Sequence, residues 1–228
     1  MVLPDHKPAL TRWFHPAPGE VVIDVGAHVG FFSVVAAGAG ARVIAIEPNP
    51  DLVVQLRRNL SLNAAGSVQV IEGAAGEREG METLYVPGTV RGFGTLDPHR
   101  FGSTSSGPAP QWAAVRVPVR SLDALGDRSL PGVIDWLLID TEGGEAGVLR
   151  GAPKMLARTR RVVVEVTQGG GAAEVDRILR SAGFSLRERA PQTPRTEYRF
   201  FERSEPLPLA EVPDRTPNRS GNRPSDAN

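Results

Sequence analysis

Asp24-Val25-Gly26-Ala27-His28-Val29-Gly30 couples an acid to two glycines spaced G-x-x-x-G. Gly26 lets the chain turn sharply and approach a ligand, and Gly30 lets the next element pack closely. Amides at the start of a following helix favour an anionic group. The spacing is not the G-x-G-x-x-G that seats a dinucleotide pyrophosphate. The competing reading is a turn that serves the fold alone. Glu47 follows Gly26 by 21 residues. At a strand end, a carboxylate there can accept both hydroxyls of an unphosphorylated ribose; the alternative is a surface acid preceding a helix. Asp140, Glu142 and Glu165 lie at or just beyond the ends of two apolar runs. A carboxylate so placed can take a proton from a hydroxyl or position a substrate. Asp140 is the first candidate for that work, then Glu142 and Glu165, with His99 more remote. Each has a structural alternative. Asp140 can cap the next turn, Glu142 and Glu145 can complement a helix start, and Glu165 can accept a hydrogen bond at the edge of a core.

The surrounding pattern supplies the elements that hold these groups. Val21–Val25 is a short β-branched run of the kind buried on both faces. A helix over 31–39 follows, and then a strand at 42–46 ending at Glu47. Asn49 as N-cap, Pro50 at the first helical position and Asp51 in the first turn announce the next helix. Leu52, Leu56 and Leu60 give it an apolar stripe. With a third strand at 68–71, residues 20–75 read β-α-β-α-β: a parallel sheet with helices on both faces and right-handed crossovers. Strands at 82–86 and 114–119 flank residues 88–111, which hold five glycines and three prolines. A loop this long is a lid over a site or a surface insertion. Residues 134–140 and 161–166 read as buried strands, 145–150 and 172–182 as helices, with a short piece from Pro153. Strands at 184–189 and 196–202 suit an antiparallel hairpin at a sheet edge.

Composition narrows the function classes. The 228 residues carry 26 Lys+Arg against 26 Asp+Glu. Zero net charge argues against a chain built to neutralise phosphates, so no nucleic-acid partner is expected. No cysteine is present, which rules out disulfides, a thiolate zinc site and a cysteine nucleophile. No metal-ligand set stands out. No apolar run is long enough for a membrane span, and a cytoplasmic location is the default. The expected organisation is a short extension over 1–19, one domain over 20–203 and a disordered polar tail over 204–228, which has five prolines.

Taken together, the motifs resemble the FkbM family of S-adenosylmethionine-dependent methyltransferases. VIDVGAHVGFFS is similar to that family's first motif. AIEPNPDLVVQLRRNLSLN resembles its second strand and following helix, down to Asn59 and Asn63. SLDAL (121–125), IDTEGGEAGVLRGA (139–152) and VVVEV (162–166) are similar to later ones. The resemblance implies an α/β class I (Rossmann-like) methyltransferase fold: a mostly parallel seven-stranded sheet, helices on both faces, and a C-terminal antiparallel hairpin. It implies S-adenosylmethionine as cofactor. Asp24, Gly26, Ala27 and Gly30 would surround its methionine part. Glu47 would hold the ribose, and Pro48 and Asn49 would lie beside the adenine, with Gly73 and Ala74 at its edge. Asp140 would stand at the methyl-transfer end next to Glu142. The implied reaction is O-methylation of a small molecule or sugar. The alternatives are a nicotinamide-dependent oxidoreductase and a catalytically impaired binding module. Two departures stand out: Leu138 where the family usually has Lys, and His28 where Asn is commoner.

Overall fold

The computed structural model describes residues 13–87, 94–96, 112–129, 132–167, 171–205 and 207. The main sheet contains β1 (Val21–Val25), β2 (Arg42–Glu47), β3 (Gln69–Glu72), β7 (Ile134–Ile139), β8 (Thr159–Thr167), β9 (Phe184–Pro191) and β10 (Thr196–Arg203), in the order β3-β2-β1-β7-β8-β10-β9. All pairings from β3 to β8 are parallel, while β10 runs antiparallel to both β8 and β9. This is the seven-stranded sheet and terminal hairpin that the resemblance implied. Every residue of β1 and β7 is buried, as their uninterrupted apolar runs require of central strands.

Two apolar layers sandwich the sheet. On one face, α1 (Phe31–Gly38) and α2 (Pro50–Leu62) cover Val22, Trp136, Leu138 and Tyr198. On the other, α3 (Leu122–Ser129), α4 (Glu145–Arg150), α5 (Pro153–Ala157) and α6 (Ala172–Ser181) cover Ile23, Ile139 and Val162. The α2 start follows its sequence signals: Asn49 accepts the Asp51 N–H at 3.0 Å, and Leu52, Leu56 and Leu60 are buried at helical spacing. Phe14 closes the α1 side, meeting Phe32 and Trp136 edge-on.

Three features depart from the sequence expectations. First, the strands of the middle region, β5 (Gly80–Pro87) and β6 (Trp112–Arg120), leave the main sheet and join β4 (Ala74–Ala75) in a small one, ordered β4-β6-β5. Gly73, at φ +144°, makes the departure possible: a Cβ there would stand 2.9 Å from the Pro118 carbonyl oxygen. Second, α3 went unread as a helix. Its Ser121 cap accepts the Ala124 N–H, and Leu122 is fully buried. The Asp123 carboxylate in turn accepts the N–H groups of Lys154 and Met155 and so caps α5. Third, Ser204 donates its N–H to the Gly183 carbonyl, so the hairpin's bonding reaches one residue into the segment read as tail. Most of that tail, residues 1–12, and the loop except Gly94–Leu96 lie outside the described residues.

β1 is the strand at which connectivity reverses. The chain goes from β1 outward to β2 and β3, then returns to β7 on β1's other side. In open α/β sheets a crevice opens at the carboxyl ends of the strands at that point, and ligands bind there.

Candidate active site

The crevice is present as a cavity of about 830 Å³ over the ends of β1, β2 and β7. Gly26, Ala27 and Gly30 form one wall, Glu47 and Pro48 the next, Gly73 and Ala74 a third, and Asp140 and Glu142 the end. Nine of the sequence-derived site residues are thus brought to one cavity.

The β1–α1 loop is shaped by its own backbone bonds. Gly26 and Ala27 both donate to the Ile46 carbonyl, at 2.9 and 3.0 Å, which ties the loop to β2. Asn59 of α2 donates its side-chain amide to the Val29 carbonyl at 2.8 Å. Gly26 has φ +80°, and a Cβ on it would lie 1.8 Å from the Asp140 carbonyl oxygen. The close approach that demands glycine here is therefore to the chain's own β7 end. A Cβ on Gly30 would meet Leu56 of α2 at 2.4 Å, the close packing expected of it.

Glu47 ends β2 with 4% of its surface exposed. One carboxylate oxygen accepts the His28 N–H at 2.8 Å and the other the Asn49 N–H at 2.9 Å. Each oxygen has further lone-pair capacity. Burial pushes this carboxyl up to about 7; the two N–H bonds oppose the rise, and the Asp24 and Asp140 charges add to it. His28 has φ 53°, in the left-handed region, so its amide points at Glu47 only because the loop holds that turn.

Asp24 and Asn49 stand behind the wall. Asp24 is buried on β1 and accepts the Ser33 hydroxyl at 2.6 Å, joining β1 to α1. Asn49 caps α2 and braces Glu47. Neither is among the residues lining the cavity. Their hydrogen bonds brace elements that do line the wall.

Three carboxylates gather at the β7 end. Asp140, Glu142 and Glu165 each bring one oxygen within 4.8 Å of the others, a spacing that would suit a hard cation. Glu165 is not itself a lining residue. Glu142 has φ 54°. Its loop is held by Glu145, which is buried and accepts the Gly143 N–H at 2.7 Å and the Thr141 hydroxyl at 3.2 Å. Burial pushes the Glu145 carboxyl up, against the pull of the Gly143 N–H. Leu138, at the family's Lys position, is buried in the core on the α1 face.

Two contributors were missed in the sequence. The Tyr198 hydroxyl donates to Asp140 Oδ2 at 2.8 Å. Burial and the neighbouring Asp140 and Glu165 charges push its ionisation far upward, so it is a fixed donor. Thr95 is buried; its backbone pairs with Tyr85 in both directions, and its hydroxyl donates to the Glu142 carbonyl at 3.1 Å. Gly94 and Leu96 consequently join the cavity wall. That much of the 88–111 loop faces the site, while Arg91, Phe93, His99, Arg100 and Phe101 lie outside the described residues.

Fold and crevice define a class I methyltransferase architecture. The chain belongs to the FkbM methyltransferase family: the model of the methyltransferase FkbM domain matches residues 24–186. The crystal structure of a precorrin-6y C5,15-methyltransferase from Geobacter metallireducens shares the fold, at a TM-score of 0.53, 13% identity and 89% coverage of each chain. The hexuronic acid methyltransferase AglP of Haloferax volcanii is 28% identical over 169 residues, 73% of this chain and 64% of AglP. The 23S rRNA (uracil(1939)-C(5))-methyltransferase RlmD of a Shewanella strain is 38% identical over 61 residues. That match spans 27% of this chain and only 14% of RlmD's length. No described helix is long and apolar enough to cross a membrane.

Proposed function

We propose that the protein transfers a methyl group from S-adenosylmethionine to a hydroxyl of a small molecule or sugar. The observation that carries this reading is Glu47: a buried carboxylate at the end of β2, held by two backbone N–H groups beside the glycine loop. Ribose hydroxyls are donors that such a carboxylate accepts with charge-assisted bonds. Gly73 and Ala74 line the same cavity, and residues this small leave room for a flat base.

The charge of the cavity favours a cationic cofactor. Glu47, Asp140 and Glu142 line it, and no Lys or Arg does so among the described residues. Such a wall suits a sulfonium and an ammonium, and repels the pyrophosphate of a nicotinamide dinucleotide. Bound there, S-adenosylmethionine would supply an electrophilic methyl group. The chain's own residues would then grip the ribose through Glu47, shape the methionine end with the 26–30 loop and Asp140, and orient the acceptor at the same Asp140. A carboxylate of the Asp140–Glu142–Glu165 group would take the proton that a hydroxyl acceptor sheds, worth about 10²–10⁴ in rate. Holding the reactants in line adds roughly 7–11 kcal/mol of effective-molarity advantage.

AglP makes sugar acids a natural first acceptor set. The test is methyl-labelled S-adenosylmethionine incubated with the protein and a panel of hexuronic acids, neutral sugars and phenols. Label in an alkali-stable ether product supports the proposal. Label confined to alkali-labile esters or to carbon overturns methylation of a hydroxyl, and absence of label from every acceptor class favours the binding-module reading.

A further inference from the structure

Asp140, Glu165 and Tyr198 form a row across three adjacent strands. Leu138 pairs with Val163 and Ile139 with Val164, so Asp140 stands level with Glu165; Glu165 pairs in turn with Tyr198. Side chains two apart share a face. Asp140 therefore stands above Leu138, Glu165 above Val163, and Tyr198 beside Phe200, all on the face that α1 covers. From the third strand of this row, Tyr198 reaches across β8 to Asp140.

We propose that Tyr198 is the positioning residue of this site, its hydroxyl fixing the Asp140 carboxylate at the cavity end where methyl transfer would occur. The proposal rests on the methyltransferase reading for what Asp140 does, but not for what Tyr198 does to Asp140. The ring is 2% exposed and packed in the core formed with Trp136, Leu138 and Phe200. A buried ring has little freedom, so its hydroxyl is an anchor for a carboxylate at a strand end. Asp140 needs one. Glu142 and Glu165 each bring a like-charged oxygen within 4.8 Å of it, and its own backbone is fixed: its N–H donates to the Val25 carbonyl, and its carbonyl faces Gly26. Beside two like charges, the Tyr198 hydroxyl is a charge-assisted donor that favours the observed orientation of the Asp140 carboxylate. The antiparallel hairpin thus does more than close the sheet: its inner strand delivers a hydroxyl to the site.

The experiment uses Tyr198→Phe, which removes one oxygen and keeps the ring in the core, beside Asp140→Ala, which removes the acceptor, and the double variant. Crystal structures of the unmodified protein and Tyr198→Phe test the geometry whatever the ligand is. Asp140 should hold the Tyr198 hydroxyl in the first and change rotamer in the second; an Asp140 that stays in place overturns the proposal. Calorimetric titration with S-adenosylhomocysteine tests the consequence. Tyr198→Phe should weaken binding by about tenfold, with a melting temperature close to that of the unmodified protein, and should cost nothing further in the Asp140→Ala background, where no acceptor for the hydroxyl remains. An equal loss in both backgrounds would mark a merely structural tyrosine and overturn it. If the unmodified protein does not bind the compound, the methyltransferase reading fails, and the crystallographic comparison still decides the role of Tyr198.

Discussion

Gly26 sits against the carbonyl of Asp140, so closely that a single methyl would lie 1.8 Å from its oxygen. The ends of β1 and β7 touch through bare backbone at this point, and that contact sets the distance between the glycine loop and the acidic end of the cavity. The site is built by strand adjacency as much as by the loop's own sequence.

Gly26→Ala is therefore expected to damage both fold and site. The φ of +80° costs an alanine energy, and the Cβ forces the two strand ends apart. A melting-temperature loss of about 5–10 °C by calorimetry, together with loss of S-adenosylhomocysteine binding, is the expected outcome. Unimpaired binding in the variant would contradict this use of the glycine.

Glu47 gives binding a pH dependence with a definite sign. Its carboxyl is raised to about 7 in the unliganded protein. Relative to Glu47→Gln, this group's contribution to folding stability is complete below pH 4.5 and disappears as pH rises through 7, a span of roughly 3 kcal/mol. Ribose hydroxyls favour the ionised form, so ligand affinity moves the other way and rises between pH 6 and 8. Titrations across that range should show tightening in the unmodified protein and a flat profile in Glu47→Gln.

Glu145 tests the loop that carries Glu142. Alanine there leaves the Gly143 N–H and the Thr141 hydroxyl without their buried acceptor, at about 1–3 kcal/mol. Glutamine retains an acceptor oxygen and sheds a buried charge. Thermal melts should rank unmodified and Glu145→Gln close together, with Glu145→Ala several degrees lower. Equal melting of all three would remove Glu145 from its assigned role.

Arg199 is a control remote from the cavity wall. It is buried between β10 and α6, with bonds to Glu197 at 2.8 Å, Asp176 at 2.6 Å and the Ala172 carbonyl at 3.0 Å. Arg199→Ala leaves Asp176 and Glu197 with their longer contacts to Arg189, at 3.7 and 4.0 Å, and should cost about 3 kcal/mol of stability. Below its melting range the variant should still bind S-adenosylhomocysteine normally; lost affinity in the folded variant would show that α6 couples to the site.

What the sequence disclosed follows from locality. β1, the Asn49-Pro50-Asp51 start of α2 and the Glu47 strand end are set by neighbours within a few residues, and each was legible. The pairing of β4 with β6 was not, because two alanines after Gly73 carry no strand signal until Val119 and Arg120 pair with them. The α3 helix hid in an eight-residue stretch containing a glycine and was stabilised from outside, through Leu122 burial and the Asp123 caps. Tyr198 was invisible for the same reason. It is one of several aromatics in β10, and only the β7-β8-β10 order brings it to Asp140, 58 residues away.

The central claim is tested most directly by calorimetric titration of S-adenosylhomocysteine into the unmodified protein and Glu47→Ala at pH 8, with NAD as control. The expected result is saturable binding to the unmodified protein, affinity at least about tenfold weaker in Glu47→Ala, and no heat from NAD. Equal affinity in the two proteins, or saturable binding of NAD instead, would contradict it.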